Sequence, residues 1–127
     1  MNDTKKAIHT NEAPAAIGPY SQAVQIGDLL FTSGQLGMDP QTNEFPETAA
    51  EQARQSLSNV KAIVEAAGAT MAQVAKTTVF LKDMNDFNAV NEVYAQFFPE
   101  PFPARSAVQV ARLPKDALVE IEVIVKL

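Results

Sequence analysis

Hydrophobic positions recur every second residue near the C-terminus. Val119, Ile121, Val123 and Val125 fall on one face of an extended segment, and Leu118, Glu120, Glu122 and Ile124 on the other. Strand side chains point alternately to the two sides, so this segment predicts a β-strand with one apolar and one mixed face. The same period sets Arg105, Ala107 and Gln109 opposite Ser106, Val108 and Val110 in the segment that follows Pro103. Earlier, Ala23-Val24-Gln25-Ile26 and Leu29-Leu30-Phe31-Thr32 flank Gly27-Asp28. A Gly-X link between two apolar runs predicts a hairpin, with Gly27 at the first central position of a type II′ turn. Residues 74–82, rich in β-branched and aromatic side chains, predict another strand, and residues 5–10 a short edge strand.

Between these runs the period lengthens to that of a helix. Ala49, Ala53, Leu57, Val60, Val64 and Ala67 form one apolar stripe, with Arg54, Gln55, Ser58, Lys61 and Glu65 facing away. Thr48 and Glu51 make a capping box at its start, and Gly68 closes it at the C′ position. A second stripe, Phe87, Val90, Tyr94 and Phe97, follows an N-cap at Asn85-Asp86 and ends before Pro99, Pro101 and Pro103. Asn91 lies on that stripe, where its amide must either tie down a loop or face a cavity. Residues 11–21, with Pro14, Gly18 and Pro19, predict an irregular approach to the hairpin. Ser33-Gly34-Gln35 opens a long polar loop after it, and a glycine directly after a strand lets another group approach closely. Leu113-Pro114-Lys115-Asp116 is the turn before the last strand.

The expected order is β-β-β-α-β-α-β-β, an α+β fold in a single domain spanning 1–127, with two helices packed on one face of a mixed β-sheet. The other sheet face, partly apolar, is expected to be buried against sister subunits.

Composition narrows the chemistry. With 46% hydrophobic and 20% charged residues the chain is an ordinary globular one. It has no cysteine, which excludes disulfides, iron–sulfur clusters, thiolate zinc and a cysteine nucleophile. The lone histidine, His9, excludes a multi-histidine metal site. A net charge of -5 with scattered Lys and Arg argues against nucleic acid as a bulk partner and leaves room for a local anion pocket. The apolar runs are too short to span a membrane, and the polar start from Met1 to Lys6 leads into no signal core. A cytoplasmic location is the resulting expectation. Arg105 offers planar donors that match a carboxylate bidentately. Were its strand adjacent to that of Glu120, one scaffold would present both groups to a shared pocket. The plainer alternative is a cross-strand ion pair.

Several separated, collinear motifs extend this picture: Gly18-Pro19-Tyr20-Ser21-Gln22, Thr32-Ser33-Gly34-Gln35, Asn85-Asp86-Phe87 with Asn91-Glu92-Val93-Tyr94, Phe102-Pro103-Ala104-Arg105-Ser106, and Val110-Ala111-Arg112-Leu113-Pro114 through Ile121-Glu122. Together they resemble the Rid (YjgF-type) family of enamine/imine deaminases, in its main deaminase branch. The resemblance implies a chorismate-mutase-like subunit and a homotrimer with three interfacial pockets. It implies hydrolysis of 2-imino acids such as 2-iminobutanoate and 2-iminopropanoate to 2-oxo acids and ammonia, a form of metabolite damage control. Threonine and serine dehydratases dependent on pyridoxal phosphate would supply the imines, and no cofactor or metal is expected here. By the same resemblance Arg105 clamps the substrate carboxylate and Glu120 holds or activates water. Ser33 and Gly34 line the pocket, and Tyr20 and Asn91 close it. Many relatives carry a cysteine where this chain has Ala107, so a role for residue 107 passes to its backbone. Loss of that thiol keeps open a catalytically silent module that binds small carboxylates. RNA cleavage or translation inhibition, associated with some relatives, has only acidic charge and one histidine to draw on.

Overall fold

The computed structural model describes residues 4–127, so of the polar start Met1-Asn2-Asp3 lies outside the described residues. Strands β1 (Lys6–Ile8), β2 (Ala23–Ile26), β3 (Leu29–Thr32) and β4 (Gln35–Leu36) precede helix α1 (Ala49–Ala66). Strand β5 (Val74–Leu81), helix α2 (Phe87–Tyr94), and strands β6 (Ala104–Gln109) and β7 (Val119–Lys126) complete the order. The strands form one mixed sheet in the order β1-β2-β3-β7-β5-β6, in which, among the described residues, only β5 and β6 run parallel. The α+β class and the two-helix cover agree with the sequence pattern.

Local signals account for the element ends. Gly27 has φ +58 in the β2–β3 turn while Asp28 stays out of the left-handed region, as a type II′ turn requires. Thr48 accepts from the Glu51 N–H at 3.1 Å and donates its hydroxyl to Glu51 Oε1 at 3.0 Å. Gly68, at φ +86, and the Ala69 N–H bond to the Val64 carbonyl make a Schellman close to α1.

Two expectations shift. The cap before α2 is Asp83, which accepts from the Asn85 N–H at 2.9 Å, while Asp86 makes no side-chain cap bond. A 3₁₀ turn, Met84–Asp86, runs directly into α2 and moves the orphan donors upstream. The polar loop after β3 begins with a further piece of sheet. β3 pairs Leu29, Leu30 and Phe31 with Lys126, Val125 and Ile124, and β4 then resumes on the same edge with Gln35 opposite Ile121 and Leu36 opposite Glu120. At the break the Thr32 hydroxyl accepts the Val123 N–H at 3.0 Å, so a side chain carries the ladder across Ser33-Gly34.

The core lies between the helices and the sheet face of Leu30, Thr77, Val79, Leu81, Val119, Ile121, Val123 and Val125. Alternation sends Phe31, Phe80, Glu120, Glu122, Ile124, Ser106 and Val108 to the opposite face, which neither α1 nor α2 covers. Phe31 and Val108 there are 39% and 43% exposed, more than an interior face would leave.

The register also decides the question left open between Arg105 and Glu120. β6 and β7 are not adjacent, because β5 lies between them. Arg105 is in line with Thr77 on the helix-covered face, whereas Glu120 is in line with Phe80 on the open face. One chain therefore presents neither a shared Arg105–Glu120 pocket nor a cross-strand ion pair.

Candidate active site

The first half of the site gathers on the helix side of β6. Arg105 Nη1 donates to Asn91 Oδ1 at 2.6 Å, so the amide on the apolar stripe of α2 finds its partner in the guanidinium. The guanidinium carbon lies 4.8 Å from the Tyr94 ring centroid and 5.2 Å from that of Phe87, close enough for both rings to attract the cation. Tyr94 is fixed in turn by a 2.9 Å hydrogen bond between its hydroxyl and Thr77 Oγ1. Burial pushes the Tyr94 hydroxyl up from its ordinary value, against the opposing effects of Thr77 and Arg105, so it stays neutral. Among the described residues Arg105 has no carboxylate at ion-pair distance. A cleft of about 330 Å³ opens beside it, lined by Asn91, Tyr94, Ala95, Phe102, Pro103 and Arg105.

Ala107 shares the Arg105 face, but its methyl is half-buried against the core and lines neither cleft. Its backbone is more informative. The Val110 N–H donates to the Leu81 carbonyl, so alternation turns the main-chain groups of Arg105, Ala107 and Gln109 toward the free edge of the sheet. Residue 107 thus offers an amide and a carbonyl beside Arg105 without needing a thiol.

The second half surrounds Glu120 on the open face. The Glu120 carboxylate lies so close to Gly34 that a Cβ at residue 34 would collide with it. This is the close approach expected of a glycine after a strand, and the approaching group is the candidate catalytic side chain itself. Burial first, and then repulsion from Glu122, raises the Glu120 pKa above its ordinary value. Arg105, on the far face, exerts no opposing pull within the chain. A second cleft of about 330 Å³ is lined by Tyr20, Gly34, Leu36, Met38, Lys115 and Glu120, among others.

Ser33 sits next to Gly34, yet its hydroxyl donates to the Ser21 carbonyl at 2.6 Å and it borders a neighbouring depression with Tyr20. It serves the approach segment rather than the Glu120 cleft. The buried Gln22 side chain pins the same segment through Thr10, Ala13 and Pro14, which keeps Tyr20 at the cleft mouth. Among the described residues no cluster of His, Asp or Glu could hold a metal ion.

Sequence reasoning missed two groups here. Phe87 and Tyr94 read as core, and only the β5–β6 pairing shows that they face Arg105. Lys115 reads as part of a turn, although its φ of 58 swings the backbone so that the residue borders the Glu120 cleft.

The chain is similar over nearly its whole length to known proteins. The family model described as Endoribonuclease L-PSP matches residues 10–127. A 2-iminobutanoate/2-iminopropanoate deaminase of Escherichia coli K12 is 59% identical over 122 residues, covering 94% of this chain and 95% of that protein. A RutC family protein of Pasteurella multocida is 61% identical over 123 residues, covering 94% and 95%. Among solved structures, Escherichia coli TdcF with bound serine superposes with a TM-score of 0.93 at 55% identity, covering 96% of this chain and 98% of that one. The Escherichia coli YjgF gene product superposes with a TM-score of 0.92 at 58% identity, covering 95% and 98%.

Proposed function

The chain belongs to the Rid (YjgF-type) family, whose model carries the description Endoribonuclease L-PSP, and from that premise we propose that it is an enzyme hydrolysing 2-imino acids. Its substrates are 2-iminobutanoate, 2-iminopropanoate and their enamine tautomers, and its products are 2-oxo acids and ammonia. The observation that carries this reading is the Glu120 carboxylate, half-buried in contact with a glycine and raised in pKa. The serine bound by the TdcF relative supports a pocket sized for a small amino-acid carboxylate.

In this reading Asn91 takes one donor of Arg105 and leaves others for the substrate carboxylate. Tyr94 and Phe87 hold the guanidinium plane. A protonated imine is already electrophilic, so placing a water beside its carbon supplies much of what the reaction needs. Glu120 accepts a proton as that water adds to the C=N carbon, giving a carbinolamine. The same proton returns to nitrogen. As the C–N bond breaks, the hydroxyl gives its proton to Glu120 and from there to the departing ammonia, which leaves the C=O of the 2-oxo acid and an ammonium ion. A raised pKa makes the carboxylate a stronger base for the first step, and its protonated form then holds that proton ready for return to nitrogen in the second.

The two half-sites face opposite sides of one sheet, so we propose that they meet between subunits. The uncovered apolar face would be the trimer contact, and Arg105, Asn91 and the Ala107 backbone of one protomer would face Glu120, Gly34 and Tyr20 of the next. Imines released by pyridoxal-phosphate-dependent threonine and serine dehydratases would reach this homotrimer in the cytoplasm. RNA cleavage has weaker support, since His9 is the only histidine and the net charge is -5.

The test couples a threonine dehydratase to the protein and follows imine decay. Arg105→Ala and Glu120→Gln are each expected to lower the acceleration by at least about a hundredfold. Refolding the two variants together is expected to restore activity in about a quarter of the sites by random assortment around a ring. Wild type that binds 2-oxo acids without speeding imine decay would favour the silent binding module. Mixed variants that stay inactive would sink the interfacial arrangement.

A further inference from the structure

Helix α1 turns three polar side chains inward, Gln52, Ser56 and Asn59, each buried within its otherwise apolar face. Their spacing of four and three residues places them in one row along the helix. Every one of them bonds to the backbone that frames Glu120. The Ser56 hydroxyl donates to the Gln35 carbonyl at 2.6 Å. Asn59 Nδ2 donates to the carbonyls of Leu36 at 3.1 Å and Met38 at 2.9 Å, while its oxygen accepts from Gln55. Gln52 Nε2 donates to the Pro46 carbonyl at 2.9 Å, and Gln52 Oε1 accepts the Leu118 N–H at 2.9 Å. The row therefore grips β4, the loop beyond it, and the entry to β7 two residues before Glu120.

β4 has little else to hold it. It contributes only Gln35 and Leu36 to the sheet, and Leu36 pairs directly with Glu120. The next residues lie against α1 so closely that a Cβ at Gly37 would strike the Gln52 carbonyl. Gln35, Leu36 and Met38 also line the Glu120 cleft.

We propose that Gln52, Ser56 and Asn59 are positioning residues that hold β4 against β7 and so keep the Glu120 carboxylate in its closed seat beside Gly34. The inference rests on the reading of Glu120 as the water-activating group. It explains why the polar row is tolerated in a packed helix face: buried polar groups persist where their partners are fixed, and here the partners are the walls of the cleft.

The test pairs a carboxyl NMR titration of Glu120 with steady-state imine hydrolysis, in wild type, Ser56→Ala and Asn59→Leu. Ser56→Ala deletes one hydroxyl and nearly keeps the side chain's shape, so it reports even where Asn59→Leu fails to fold. Within the chain the other ionisable groups facing Glu120 are Glu122 on β7, Lys115 from the preceding turn and Tyr20 from the approach segment, while its neighbours Leu36 on β4 and Phe80 on β5 carry none. The proposed trimer adds Arg105 of the adjoining protomer, whose pull is common to wild type and variants. These groups stay in place in the variants. A loosened β4 hydrates the carboxylate, so its titration is expected to move down toward the ordinary glutamate range. The kcat is expected to fall about tenfold to a hundredfold with little change in KM, as misplacement of a reacting group does. Folded variants that titrate like wild type with unchanged kcat would overturn the proposal. A shifted titration in a protein that turns over no imine would support the positioning role and sink the catalytic reading instead.

Discussion

Gly34→Ala isolates the seat of Glu120 with one methyl group. The φ of Gly34 lies outside the left-handed region, so alanine imposes no backbone strain there. The added Cβ would meet the distal carboxylate oxygen, and it would also stand 2.7 Å from Cδ and 3.0 Å from Cγ of Glu120. Rotating the carboxylate alone does not relieve this, so the side chain must swing away from Cγ outward. Stability should fall only modestly. Alanine gains about 0.4–1 kcal/mol by restricting the unfolded chain, which offsets part of a local overpacking cost of about 1–3 kcal/mol. Turnover should not survive so well. Displacing a general base costs about 10²- to 10⁴-fold, or roughly 2.7–5.5 kcal/mol at about 1.36 per decade. The assay is dehydratase-coupled imine decay, with urea unfolding run on the same samples. Because both changes act through one carboxylate, Gly34→Ala in a Glu120→Gln background should lose nothing further. A folded Gly34→Ala enzyme within about threefold of wild type, or a double variant far below Glu120→Gln alone, would refute the reasoning.

The remaining predictions concern charge and capping. Glu120 has a raised folded-state pKa, so its contribution to stability is fully present below the ordinary glutamate range and is lost as pH rises through the folded value. Glu120→Gln, which cannot ionise, should therefore gain stability over wild type at neutral pH and lose that advantage in acid, as urea unfolding at the two pH values will show. By the same shift, wild-type kcat/KM, which reports the free enzyme, should fall as pH drops through that raised value, and an acid limb in the ordinary glutamate range would contradict it. Arg105→Lys keeps the charge but loses the planar fork and its stacking on Tyr94 and Phe87. It should lower kcat/KM by at least about tenfold, chiefly through KM for the imino acid. Thr48→Ala removes the bond to the Glu51 N–H and should cost about 0.5–2 kcal/mol in urea unfolding, with kcat unaffected.

Sequence alone determined whatever depends on neighbours along the chain. The hairpin turn at Gly27, the α1 stripe from Thr48 to Gly68, and the alternation in β6 and β7 are local patterns with one stable outcome each. Gly34 as a point of close approach and Asn91 as an amide needing a partner were legible in the same way. Which strands lie side by side is not local. It depends on the β5-α2-β6 crossover, which lays β6 parallel to β5 on the side away from β7. A two-residue period fixes which side chains share a face of a strand, but says nothing about how that face is oriented relative to a distant strand. Arg105 and Glu120 consequently read as one cluster in sequence and stand on opposite faces in the folded chain. The inward row of Gln52, Ser56 and Asn59 was hidden for a related reason. Its spacing is that of the apolar stripe beside it, and only the carbonyls of Gln35, Leu36 and Met38, brought in from before the helix by the tertiary fold, make burying those polar groups favourable.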